Sequence, residues 1–101
     1  MDAHTQRTAQ VLIDFYAGFA ASDDDALREA AFNTALAGFQ ETEAFSITMV
    51  KEDEANIDIT RLLVASGVTL QWLIARLASI SRQSEEEIIF DLRQFLASQD
   101  D

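Results

Sequence analysis

His4 is the only histidine in a chain of 101 residues, and there is no cysteine. A Ser-His-Asp triad, a His-paired nucleophile or a two-histidine metal site needs more imidazole than this, held in place by folded structure. His4 instead falls in residues 1–5, which read as a frayed end. The absence of cysteine removes thiolate nucleophiles, a disulfide framework and every zinc site that depends on sulfur. Oxygen ligands remain, in the runs Asp23-Asp24-Asp25, Glu52-Asp53-Glu54 and Glu85-Glu86-Glu87. Such runs can attract Ca²⁺ or Mg²⁺. However, "KEDEANIDIT" lacks the loop glycine and the alternate-residue ligand rhythm of a calcium loop, and the other two runs sit where helix starts favour negative charge. There is no glycine-rich phosphate loop either. The reading is a chain that is not an enzyme, with no catalytic residue, no cofactor and no metal.

The elements that carry these residues read as helices. There is no proline and glycine occurs only at 18, 38 and 67, so the turn punctuation of a β-sandwich is missing. The expected fold is all-α, a small single-domain bundle of about five helices over 1–101, with 1–5 and 99–101 frayed. Thr8, Val11, Leu12, Phe15 and Phe19 form one stripe of a helix near 6–21. Ser22, with Asp25 three residues on, reads as the cap of an alanine-rich helix over 23–40. Phe45, Ile47 and Met49 alternate as in a strand, but no partner strand is legible, so 44–50 is assigned to helix and "KEDEAN" to an exposed break. Asp58 is the expected cap of a helix over 59–66 that stops at Gly67, Thr69 that of a helix over 70–80, and Ser84 with Glu87 a capping box for 84–98.

"LLVASGVTLQWLIARL", residues 62–77, has the outline of a helix-turn-helix. A groove-reading helix presents basic and polar side chains. The second helix here offers one arginine, Arg76, among Leu70, Trp72, Leu73, Ile74, Leu77 and Ile80. The net charge of the chain is −11, from 18 acidic and 7 basic residues, which repels phosphate backbones. A DNA-binding regulator is therefore the least favoured reading.

The charge is unevenly placed. Residues 1–58 hold 12 acidic against 3 basic side chains, whereas 59–101 hold 6 against 4. The start, "MDAHTQRTAQ", lacks a basic segment leading into a long apolar run, and no uninterrupted apolar stretch approaches the ~20 residues of a membrane span. A cytoplasmic protein without membrane contact is expected.

At about 100° per residue, Leu70, Leu73, Ile74, Leu77 and Ile80 share one face, and Trp72 points away from it, beside Ala75 and Ser79. Ile88, Ile89, Leu92, Phe95 and Leu96 share a face of the last helix, and Phe90 lies off it near Gln94 and Ala97. Either these aromatics are covered by the chain's other helices or they belong to an intermolecular surface. The favoured function is a non-catalytic acidic helical protein-interaction module, self-associating as a homodimer through the C-terminal helices, with Trp72, Ala75, Arg76, Ser79, Phe90 and Gln94 as partner-binding residues. The rival is an acidic decoy of the phage-inhibitor type, which would occupy the groove of a nucleic-acid-binding protein with its acidic half.

Overall fold

The computed structural model describes residues 1–99. Asp100 and Asp101, expected in the frayed end, lie outside the described residues. Among the described residues the chain is predominantly helical, 72%, but it is not all-α, and four helices take the place of five. In order they are α1 (Ala3–Ala20), α2 (Asp25–Glu41), strands β1 (Ser46–Lys51) and β2 (Glu54–Asp58), α3 (Thr60–Ser81) and α4 (Glu85–Ser98). Contacts group the chain into two compact units, Met1–Gly67 and the chain from Val68 onward.

In the first unit α1 begins three residues before its expected start, because the Asp2 carboxylate accepts the Thr5 amide at 2.7 Å. The cap of α2 is Asp24, which accepts the Ala26 amide at 2.8 Å; the expected cap, Ser22, accepts the Asp24 amide at 3.0 Å instead. Asp24 stands immediately before the first helical residue, Asp25, with extended backbone, the position from which a side chain reaches the first free amides. The two helices approach closely at Gly38, where a Cβ would lie 3.1 Å from both methyls of Val11. Phe15 packs against Phe19 with the rings tilted and their centroids 5.7 Å apart, and meets Phe32 edge-on at 6.2 Å, and the Arg28 guanidinium lies 4.3 Å over the Phe19 ring. Polar groups are buried in this unit: Thr8 is fully covered, its Oγ1 3.0 Å from the buried Thr42 Oγ1 and 2.8 Å from the His4 carbonyl.

The segment 44–50 contributes a strand, not a helix. Its partner is the stretch that follows, and the two pair antiparallel with Ile47 opposite Ile57, Met49 opposite Ala55, and an irregularity between Met49 and Lys51. "EANID" carries the same two-residue alternation as β1, masked by its acidic residues. Every residue of both strands is exposed.

Gly67 does not stop a helix. α3 runs through it for 22 residues, so the separate helices over 59–66 and 70–80, the Thr69 cap and the turn of the helix-turn-helix outline are all overturned. A terminating glycine works by taking positive φ, and no glycine here does so. The helices end instead on Glu43 (φ 56) after α2 and Arg82 (φ 60) after α3. Asp58 does act at the start of α3, accepting the Thr60 amide at 2.8 Å. As one uninterrupted helix of 22 residues, α3 is by length and composition long and apolar enough to cross a membrane. α4 starts at the expected capping box: the Glu87 amide donates to Ser84 Oγ at 3.1 Å, and the Ser84 amide to Glu87 Oε1 at 3.4 Å.

Candidate interaction surface

The second unit contains Val68–Ser81 of α3, the turn through Arg82 and Gln83, and α4. The 3.6-residue period that makes both helices amphipathic also fixes which side chains meet. Leu70, Leu73, Ile74 and Leu77 of α3 and Ile88, Asp91 and Leu92 of α4, with Gln83, line a groove of about 370 Å³. Ile88 is 5% exposed and is the only buried side chain of the unit among the described residues. Leu70, Leu73, Leu77, Ile80, Leu92, Phe95 and Leu96 all remain exposed. They are the residues whose spacing places them on one apolar face of each helix. Two helices shield a side chain only along their line of contact, so the flanks of each apolar arc stay in water unless a third element covers them.

Trp72 is 65% exposed and Phe90 is 60% exposed, so neither is buried between α3 and α4. Ala75, Arg76, Ser79 and Gln94 are exposed as well. Counting about 100° per residue, Trp72, Ala75 and Ser79 lie roughly opposite the groove-lining residues of α3, with Arg76 at the edge of that face. Phe90 and Gln94 lie on the side of α4 turned away from Ile88. The six residues thus form two sets, one per helix, and do not merge into one patch. The sequence shows the apolar spacing of the groove residues but carries no signal of their exposure.

The first unit holds a larger cavity, about 670 Å³, lined by Asp2, Thr5, Glu43, Asp58, Thr60, Arg61 and neighbours. Its charged groups are engaged in structure. Arg61 donates to the carbonyls of Thr42 (3.3 Å) and Glu43 (3.0 Å) and pairs with the Glu43 carboxylate at 3.6 Å. Hydrogen bonds from the amide and hydroxyl of Thr5 hold the Asp2 carboxyl below its ordinary pKa. Those from the hydroxyl and amide of Thr60 do the same for Asp58. Each carboxylate is stabilised as a helix cap, which disposes it poorly to act as a proton acceptor. The His4 ring, 3.3 Å from the Thr42 carbonyl through Nδ1, is the nearest imidazole to these groups. No group of three or more metal-ligating side chains occurs among the described residues.

Comparison with protein families, with characterised proteins and with solved structures finds no match to this chain.

Proposed function

We propose that this chain is a non-catalytic helical interaction module that self-associates through α3 and α4 while its first unit displays acidic surface. One observation carries the reading: the second unit has two amphipathic helices and, among its described residues, buries a single side chain, Ile88. Segments of fewer than about 40 residues do not enclose a core unaided and are usually completed by oligomerisation, metals or disulfides. This chain has no cysteine for disulfides and no group of three or more metal-ligating side chains among its described residues, which favours association. Contiguous exposed apolar surface of this kind marks interaction sites.

Charge supports a partner that meets the second unit. Residues 1–67 hold 12 acidic and 4 basic side chains, whereas 68–99 hold 4 and 3. Two copies joined through the near-neutral part avoid the repulsion that joining the acidic parts would bring. Nucleic acid is disfavoured by the same field, and a cytoplasmic setting accords with the lack of cysteine.

The hydropathy of α3 favours one competing reading, insertion into a bilayer. Sedimentation equilibrium of the full chain across the micromolar range, together with flotation on phosphatidylcholine vesicles, separates the two. A dimer that stays out of the vesicle fraction is expected. A chain that is monomeric throughout, or that floats with the vesicles, overturns the proposal.

A further inference from the structure

The outward face of α4 has a charge pattern that is complementary to itself. Measured from buried Ile88, Glu86, Phe90, Arg93 and Ala97 all fall within about 40° of the opposite direction at 100° per residue. All four are exposed. Half-buried Ile89 and exposed Leu96 flank the same face. Glu86 and Arg93 stand seven residues apart, about 10 Å along the axis at 1.5 Å per residue, too far to pair within one helix. Neither takes part in an ion pair or side-chain hydrogen bond seen among the described residues. Between them, at the third and fourth positions, lie Ile89 and Phe90.

We propose that two copies of this chain pair through antiparallel α4 helices about a two-fold axis beside Ile89 and Phe90, each Glu86 facing Arg93 of the other copy. This deepens the self-association reading and rests on it. The midpoint of residues 86 and 93 falls between 89 and 90, so the axis that brings the two apolar side chains to the crossing also aligns both ion pairs. A two-fold contact is isologous, and each half of it must complement itself; an acidic residue and a basic residue placed symmetrically about an apolar centre meet that condition. The antiparallel sense follows from electrostatics. A parallel pair would set Glu85, Glu86 and Glu87 against the same triplet and Arg93 against Arg93, and like charges in register are strongly disfavoured. Antiparallel pairing also opposes the two helix dipoles favourably.

The test uses the full-length chain and three variants: Glu86→Arg, Arg93→Glu, and the two substitutions combined. Both positions are exposed, and circular dichroism checks that the helix content is retained. Each single variant should weaken self-association at least tenfold, because each replaces both ion pairs by like charges. The combined variant should return to within about threefold of the parent. An equimolar mixture of the two single variants should associate where neither does alone. A parent that dimerises with single variants of unchanged affinity overturns this register but leaves self-association standing. A parent that remains monomeric overturns both.

Discussion

Gly38 and Gly67 are the same residue in two helices, and their surroundings give them opposite consequences. A Cβ at Gly67 would meet nothing within 4 Å, whereas one at Gly38 would come to 3.1 Å from both Val11 methyls. Glycine in a helix interior costs roughly 0.5–1 kcal/mol relative to alanine through backbone entropy. Gly67→Ala should therefore raise stability by about that amount. Gly38→Ala should show no gain or a net loss, because Val11 is β-branched and yields little by rotation. Urea denaturation of the two variants side by side checks this: an equal gain from both would mean that α1 and α2 have slack where they meet. Gly67 reads in sequence as a stop because glycine often ends helices. Which role it plays depends on φ, and the apolar run on both sides keeps the helix propagating through it.

At the scale of the element, the starts of the helices are where local sequence is most decisive. The capping box of α4 satisfies two amides within four residues. Ser84→Ala should lower stability by roughly 0.5–2 kcal/mol, read as a fall in the denaturation midpoint at unchanged slope. Asp2 and Asp58 add a pH dependence. Hydrogen bonds from Thr5 and Thr60 keep their folded pKa values below the ordinary one. Their stabilising contribution is therefore complete above the ordinary carboxylate range, near about pH 4, and is lost as pH falls through the depressed folded values. Both groups are open to solvent, so salt should shrink the effect. Asp2→Asn combined with Asp58→Asn should flatten the decline in thermal midpoint between about pH 5 and about pH 2; a curve with the parent's slope would show that other carboxyls govern acid unfolding. The hairpin stands where helix is expected over 44–50. Its two strands are individually short and weakly patterned, and their identity comes from pairing with each other.

For the whole molecule the question is what covers the apolar residues of α3 and α4. With Trp72 exposed, Trp72→Ala should leave folding stability nearly unchanged, in contrast to the ~3–5 kcal/mol expected for truncating a buried aromatic. If the Trp72 face joins the contact between copies, the same variant should weaken association by about 2 kcal/mol. Sedimentation and chemical denaturation of that one variant read the two quantities separately, and a large loss of folding stability would place the indole in a core. The helical character, the Ser84–Glu87 box, the Asp58 cap and the residues that share a face on α3 and α4 are legible in the sequence, because each depends on neighbours within a few positions along the chain. The pairing of 46–51 with 54–58, the continuation of α3 through Gly67 and the solvent exposure of the Leu and Ile faces of α3 and α4 are visible only in the folded chain. Strand pairing, backbone φ at a glycine and solvent exposure are set by contacts across the fold, and a helical period shows which side chains point together without showing what lies against them.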